Sequence, residues 1–281
     1  MDYTKYFCGE DGYCLDYNKA AVAVLPVPYD GTSTWVKGSD KGPAALIEAS
    51  GTLEMFDIET GNDVSKKGIY TLPPVIEDRS PEKMSEAVER AITQLLGDGK
   101  LPVLVGGEHS VSIGAFKAMA KRYENITFLQ FDAHADLRES YEGSAYNHAC
   151  VMHQAKKLAP IVQVGIRSMC QEERVYVDPE KMFFRYQIRQ NMDWQNDVMA
   201  QLSGDVYITI DLDVFDPSIM PSTGTPEPDG LLYHEVLSMI RKVQTHCNIV
   251  GFDVVELCPN EKNKAPDFLA AKLVYQVLSG I

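Results

Sequence analysis

Two short acidic motifs in this chain each follow an apolar segment that is typical of a buried strand. DAHAD at 132–136 comes after residues 126–131, and DLD at 211–213 comes after residues 206–210. Both preceding segments are short and rich in β-branched and aromatic residues, as buried strands are. Alternate residues of an extended chain point to one side, so the carboxyl and imidazole groups of each motif can converge on one point. The pattern indicates a metal site.

A third strand-like segment, residues 101–107, leads to Glu108 and His109. A D-x-D motif alone often only caps a turn, but open α/β sheets bind ligands at their carboxyl edges, and three such segments favour a metal centre. Six donors exceed the three protein ligands of an open catalytic zinc site, so we predict two ions that share carboxylates. Oxygen and imidazole donors without thiolate favour Mn²⁺ over Zn²⁺ or Ca²⁺. The expected ligands are His109, Asp132, His134, Asp136, Asp211 and Asp213.

Four motifs in this order resemble those of the ureohydrolases, the family of the arginases and agmatinases. They are GGEHS at 106–110, DAHAD, DLD and GFDVVE at 251–256. The resemblance extends to PYDGT at 28–32 and TGTPEP at 223–228, and so covers nearly the whole chain. Within the family, residues 132–152 are similar to agmatinases, because they lack the asparagine-rich loop that holds the amino-acid carboxylate in arginases.

The resemblance implies a hydrolase that cleaves a guanidino compound to urea and an amine with two Mn²⁺ ions per subunit. A guanidinium is a poor electrophile, and two metals supply hydroxide at neutral pH by lowering the pKa of a shared water. By resemblance, Asp136 passes on the proton of that hydroxide and His148 acts as a proton shuttle. Glu256 is expected to receive the guanidinium, and Thr225 is expected to lie near it.

Agmatine, which would give putrescine and urea, is the expected substrate. However, Arg138 lies two residues beyond a predicted ligand and could bind a substrate carboxylate. Guanidinobutyrate or another guanidino acid is therefore the main alternative, followed by arginine and formiminoglutamate. Residues 172–196, which include several arginines and aromatic residues, are expected to shape the entrance, to form a subunit contact, or to be a mixed surface segment.

Two other functional classes stay open. The same fold carries single-zinc deacetylases that cleave acyl-lysine or polyamine amides, although one metal would not need both His109 and Asp136. A metal-binding protein without activity is the second, although no expected catalytic position is missing. Glu108 stands where arginases have aspartate, and we expect it to lie behind the ligands and orient His109. The remaining histidines are interpreted as structural or surface residues: His153, His234 and His246.

The composition is typical of a globular enzyme of the cytoplasm. The chain has 281 residues, 45% of them hydrophobic, which is enough for one domain over residues 1–281. A net charge of −14 disfavours nucleic acid as a partner. Residues 1–5 lack a hydrophobic leader and no long apolar run exists, so we expect neither export nor membrane insertion. Six scattered cysteines without a C-x-x-C pair fit a reducing compartment.

Strand-like and helix-like patterns alternate along the chain. Ser80 and Pro81 predict the start of an amphipathic helix that ends at Gly97. A second helix over 111–122 would join two parallel strands, and a last helix is expected over 266–278. The patterns predict an α/β fold, a three-layer sandwich with helices on both faces of a mainly parallel sheet. By resemblance this is the arginase/deacetylase fold, whose members assemble as trimers or hexamers, so we expect a homo-oligomer with a small guanidino substrate.

Overall fold

Eight parallel strands form one sheet in the residues that the structure, a computed structural model, describes, which are 6–12, 14 and 16–281. The strands are β1 (Val22–Val27), β2 (Ile69–Thr71), β3 (Leu101–Gly106), β4 (Ile126–Phe131), β5 (Ile161–Ile166), β6 (Met182–Phe184), β7 (Asp205–Asp211) and β8 (Asn248–Val255). Their order across the sheet is β2-β1-β3-β8-β7-β4-β5-β6. Every neighbouring pair is parallel, as predicted.

Helices cover both faces of this sheet. They are α1 (Gly9–Gly12), α2 (Gly42–Ser50), α3 (Pro81–Gly97), α4 (Ser112–Arg122), α5 (Val151–Ala155), α6 (Arg185–Ile188), α7 (Trp194–Met199), α8 (Tyr233–His246) and α9 (Ala265–Ser279). Apolar residues of α2, α7, α8 and α9 belong to one core, and those of α3, α4 and α5 belong to a second core. The predicted three-layer α/β sandwich is therefore confirmed.

The two cores lie on opposite faces because side chains alternate along each strand. In β1, Val22 and Val24 belong to the first core, whereas Ala23 and Leu25 belong to the second. A strand that is buried on both faces reads as a continuous apolar run, which explains why the strands were visible in the sequence.

The predicted helices form with small changes at their ends. Ser80 Oγ accepts a hydrogen bond from Lys83 N at 3.2 Å and so caps α3. The helix predicted over 111–122 begins at Ser112, because His109–Val111 forms a 3₁₀ turn. The last helix is one residue longer at each end than predicted.

The four central strands, β3, β8, β7 and β4, are neighbours in that order. The strands joined by α4 are parallel but not adjacent, because β8 and β7 lie between them. Parallel strands end at the same edge of a sheet, so the segments that follow these four strands meet above the middle of the sheet. This is where the acidic motifs lie.

None of the described helices is both long and apolar enough to cross a membrane. The interpretation of residues 1–5 as lacking a hydrophobic leader lies outside the described residues. All six cysteines are free thiols, and two of them, Cys8 and Cys150, are buried.

Replacing Gly114 by alanine should lower the free energy of unfolding by about 1–3 kcal/mol through overpacking. A Cβ atom at Gly114 of α4 would lie 2.4 Å from Ser85 O and 2.9 Å from Glu89 N of α3. Gly97→Ala is a matched control, because nothing lies within 4 Å of a Cβ atom there. Chemical denaturation measures both variants, and equal stability of the two would contradict the close approach of the helices.

Candidate metal centre and active site

All six predicted ligands lie at or just beyond the carboxyl ends of three central strands. His109 follows β3, three residues follow β4, and the last two lie at the end of β7 and just beyond it. The three that follow β4 are Asp132, His134 and Asp136, and the two at β7 are Asp211 and Asp213. Because β8 and β7 separate β3 from β4, the donors approach one point from both sides.

His109 lies at the centre of the first group of donors. Its Nδ1 is 3.2 Å from Asp132 Oδ2, 3.1 Å from Asp136 Oδ2 and 3.3 Å from Asp211 Oδ2. This nitrogen is buried and has no hydrogen-bond partner among the described residues. A buried polar atom without a partner is costly, and a cation among the carboxylates would satisfy it.

His134 belongs to a second group, which shares Asp132 with the first. Its Nδ1 lies 2.8 Å from Asp213 Oδ2 and 3.6 Å from Asp132 Oδ1. Two sets of side chains can thus each hold a metal ion, one with His109, Asp132 and Asp211 and the other with Asp132, His134 and Asp213. The shared carboxylate is the feature that the ligand count predicted.

The pKa values of Asp136, Asp211 and His109 are shifted upwards in a site that holds more negative than positive charge. Burial, followed by repulsion from Asp213 and Asp132, raises the pKa of Asp211 well above its usual value. Burial and the charge of Asp132 raise the pKa of Asp136 to about 7. Burial opposes protonation of His109, yet the three nearby carboxylates of Asp132, Asp136 and Asp211 raise its pKa well above the usual value. Oxygen and imidazole donors with this unbalanced negative charge fit a divalent cation.

Local hydrogen bonds aim the carboxylates. Asp132 Oδ1 accepts from His134 N at 2.6 Å, and Asp211 Oδ1 accepts from Asp213 N at 2.9 Å. Each D-x segment therefore caps its own turn, as such motifs commonly do, and still leaves a second oxygen for the site. Asp213 Oδ1 accepts from Ala133 N at 3.0 Å and ties the two turns together.

Two residues that the sequence analysis missed hold His109 from behind. Thr209 Oγ1 lies 2.9 Å from His109 Nε2 and donates to Asp253 Oδ1 at 2.6 Å. A hydrogen bond on the second nitrogen fixes which nitrogen faces the site. Asp253 lies within the GFDVVE motif, which was the available signal, whereas Thr209 carried none.

Glu108 does not orient His109 as expected. Its carboxylate is completely buried and accepts hydrogen bonds from the hydroxyls of Thr32 and Ser110. Thr209 of β7 takes the orienting position behind His109, whereas the Glu108 side chain bonds to Thr32 in the loop after β1.

A cavity of about 300 Å³ opens above the two groups, and all the predicted catalytic and substrate-binding residues line it. These are Asp136, Arg138, His148, Thr225 and Glu256. The remaining histidines, His153, His234 and His246, do not line it. The volume suits a small molecule rather than a macromolecule.

Glu256 and Asp136 adopt strained backbone conformations in this cavity. Their φ angles are 67° and 52°, in the left-handed region that side chains rarely adopt. Glu256 Oε1 accepts from His109 N at 2.8 Å, and burial, followed by the charge of Glu108, raises the pKa of Glu256 well above its usual value. Strain of this kind persists mainly where function requires it.

His148 is held neutral at the side of the cavity. Burial, followed by the charges of His109 and His134, lowers its pKa to about 4. A neutral imidazole can accept a proton during a reaction near neutral pH, which is the first half of a proton shuttle.

Arg138 lies at the cavity wall with its guanidinium 4.3 Å from the ring centre of Tyr141. Among the described residues, no carboxylate forms an ion pair with it. Glu173, from the 172–196 segment, lines the same cavity and accepts a hydrogen bond from Leu137 N at 2.7 Å. One residue of that segment therefore supports the entrance, and the segment also includes a 3₁₀ turn that ends at Tyr176, the edge strand β6, the helix α6 and the start of α7.

A parallel α/β sheet with a paired carboxylate–imidazole centre at its carboxyl edge is the arrangement of a metal-dependent hydrolase. Comparison of this chain with known proteins supports the same class. The model of the Arginase family matches residues 20–280. The chain is 37% identical to the N(1)-aminopropylagmatine ureohydrolase of Synechocystis sp., over 93% of this chain and 89% of that protein. It is 31% identical to the agmatinase of Pyrococcus horikoshii, over 94% of this chain and 93% of that protein.

Solved structures agree with these sequence matches. The agmatine ureohydrolase of Thermoplasma volcanium superposes with a TM-score of 0.89 at 33% identity, and the match covers 98% of this chain and 94% of that one. The arginase of Bacillus subtilis superposes with a TM-score of 0.79 at 26% identity, over 92% of this chain and 98% of that one. The chain belongs to the arginase family. It is a metal-dependent ureohydrolase of guanidino compounds, so the ureohydrolase prediction is confirmed and the deacetylase and inactive alternatives are not supported.

Metal-induced stabilisation of this protein should increase as the pH rises from about 5 to about 8. In the metal-free protein, Asp136 and Asp211 have raised pKa values, so they stabilise the fold below the unfolded carboxyl pKa and lose that contribution as the pH rises through the folded pKa. A divalent ion binds the deprotonated groups and reverses this loss. Thermal unfolding with and without Mn²⁺ across this range measures the effect, and a shift that is independent of pH would contradict it.

Proposed function

We propose that this protein hydrolyses agmatine to putrescine and urea with two Mn²⁺ ions per subunit. The observation that carries the proposal is the convergence of six carboxylate and imidazole donors beside Glu256 in one small cavity. The agmatinases among the similar proteins support the choice of substrate, because they match over nearly the whole chain.

The proposed ligands are the six residues predicted from the sequence. Asp132 would serve both ions, His109, Asp136 and Asp211 would hold one ion, and His134 and Asp213 the other. When bound, two such ions supply an activated water at neutral pH by lowering its pKa.

Glu256 would bind the substrate guanidinium. A carboxylate and a guanidinium pair through parallel hydrogen bonds, which orient the planar group as well as neutralise it. Thr225, an exposed residue of the cavity wall, would contact the same end of the substrate. The backbone strain at Glu256 would be retained because it places the carboxylate beside His109.

Asp136 and His148 would move the two protons that the reaction requires. When water adds to the guanidinium carbon, a new C–O bond forms and a tetrahedral intermediate results. The hydroxyl proton of that intermediate passes through Asp136 to the amine nitrogen as the C–N bond breaks. His148 takes the other water proton and delivers it to the amine, so the products are urea and an ammonium ion.

A longer substrate is the first variant of this proposal. Relatives at 37% and 36% identity are named N(1)-aminopropylagmatine ureohydrolases. Such a substrate carries the same guanidino-butyl end as agmatine, with an aminopropyl extension that would reach towards the cavity mouth.

A guanidino acid such as guanidinobutyrate is the second variant, and a specific observation favours it. Arg138 is a cation of the cavity wall without an ion-pair partner among the described residues. A substrate carboxylate would pair with it, whereas an ammonium group would be repelled.

We further propose that the chain acts as one domain over residues 1–281, in the cytoplasm, as a homo-oligomer of three or six subunits. The free cysteines support a reducing compartment. Size-exclusion chromatography with light scattering tests the assembly.

Urea release decides between the substrates. The Mn²⁺-loaded protein is assayed in parallel with agmatine, N(1)-aminopropylagmatine, arginine and 4-guanidinobutyrate, with a chelated sample as the blank. We expect urea from agmatine or its aminopropyl derivative. A preference for guanidinobutyrate that is lost in Arg138→Met would contradict the agmatine proposal and support the acid.

His148→Ala and Glu256→Gln should abolish most turnover without loss of metal. Removal of a general acid or base costs about 10²–10⁴-fold in kcat. We expect His148→Ala to act mainly on kcat, and Glu256→Gln to raise KM as well. Metal content is measured by atomic emission on the same samples. Loss of the ions together with activity would indicate that these residues are ligands rather than proton-transfer and substrate-binding groups.

A further inference from the structure

Thr32, which the proposed mechanism does not use, lies between two ionisable groups at the side of the cavity. Its hydroxyl donates to Glu108 Oε2. The same oxygen lies 3.1 Å from His148 Nδ1 and accepts from His148 N at 3.0 Å. Thr32 is only 8% exposed and Glu108 is fully buried, so water does not compete for these bonds.

The fold brings these three residues together by a close approach of two loops. Gly107 N donates to Val27 O and Glu108 N donates to Tyr29 O, each at 2.8 Å. A Cβ atom at Gly107 would lie 2.0 Å from Tyr29 O, so only glycine allows the loop after β1 to pack this tightly against the end of β3. Thr32 is thereby carried to the Glu108 carboxylate.

The hydrogen-bond inventory of Thr32 determines the state of the imidazole. A threonine hydroxyl has one proton to donate and can accept two hydrogen bonds. With Glu108 ionised, the proton is used on its carboxylate, which also accepts from Ser110. The hydroxyl oxygen therefore accepts from both His148 N and His148 Nδ1. Nδ1 then carries the ring proton, and Nε2 has its lone pair free.

We propose that Thr32 and Glu108 are positioning residues that hold His148 in the Nδ1–H form with Nε2 directed to the reacting groups. The inference rests on the proposed role of His148 as proton shuttle. Nε2 takes the water proton and later gives it to the departing amine, so His148 ends neutral as it began. While the ring is charged, the Glu108 carboxylate, 3.7 Å from Nδ1, stabilises the imidazolium.

Variants at Thr32 separate the hydroxyl from the rest of the side chain. Thr32→Val keeps the size and removes the hydroxyl, and Thr32→Ser restores it. On the substrate that the wild type turns over fastest, Thr32→Val should lower kcat about ten- to a hundred-fold, with KM and Mn²⁺ content unchanged. Thr32→Ser should recover most of that loss. Thr93→Val, which removes an exposed hydroxyl on α3, should match the wild type.

The basicity of the leaving amine provides a test that distinguishes the positioning role from a general structural defect. A structural defect would lower kcat equally for substrates with basic and with weakly basic leaving amines. Replacing the methylene next to the substituted guanidino nitrogen of the substrate by oxygen gives a much less basic leaving amine, which needs little protonation to depart. Thr32→Val should therefore slow the ordinary substrate more than the oxygen analogue. An equal loss on both, or a wild-type kcat for Thr32→Val, would overturn the proposal.

The tautomer can be read without any turnover, which keeps this inference separate from the proposed function. Nitrogen NMR of the protein loaded with Zn²⁺, which is diamagnetic, should show His148 protonated at Nδ1 in the wild type and in Thr32→Ser. The proton should shift to Nε2, at least in part, in Thr32→Val. An Nε2–H imidazole in the wild type would refute the positioning role, whereas failure to release urea from any guanidino substrate would refute the proposed function.

Discussion

The repulsion between buried carboxylates at one edge of the sheet is the constraint on which the rest of this structure depends. Two imidazoles are surrounded by the carboxylates of Asp132, Asp136, Asp211 and Asp213. Burial makes each of these negative charges energetically unfavourable. Such a cluster is stable only with protons or cations among the oxygens. The same cluster that costs stability in the metal-free protein is therefore suited to bind divalent ions.

The surrounding polar groups keep this cluster in a defined geometry. Asp132 and Asp211 each use one carboxylate oxygen to accept a hydrogen bond within their own turn. Thr209 and Asp253 together hold the imidazole of His109 from behind. A second hydroxyl, that of Thr32, lies between Glu108 and His148, and His148 lines the cavity. In both places a threonine hydroxyl lies between a buried carboxylate and a histidine, so the ring contacts the hydroxyl rather than hydrogen-bonding to the carboxylate directly.

Much of the fold and most of the site could be predicted from the sequence, and the successes share a cause. Buried parallel strands are continuous apolar runs, and metal-ligand donors that directly follow such runs can be recognised from their position in the sequence. Thr209 escaped notice because a threonine within a strand reads as an ordinary β residue, whereas Asp253 was missed although it lies within the GFDVVE motif. Glu108 was assigned to His109 because it is adjacent in sequence, whereas its actual partner, Thr32, is 76 residues away.

The sequence by itself determined which donors exist, which strands they follow and, through the ureohydrolase motifs, the family. Local chemistry is enough for this, because strand burial and turn capping depend on neighbouring residues. Only the tertiary structure decided that β8 and β7 lie between β3 and β4, which brings Glu256 beside His109 and places Asp132 in both groups of donors. It also decided the partners of Thr32 and Glu108. Strand order and loop contacts depend on the packing of residues far apart in the chain, which no local pattern records.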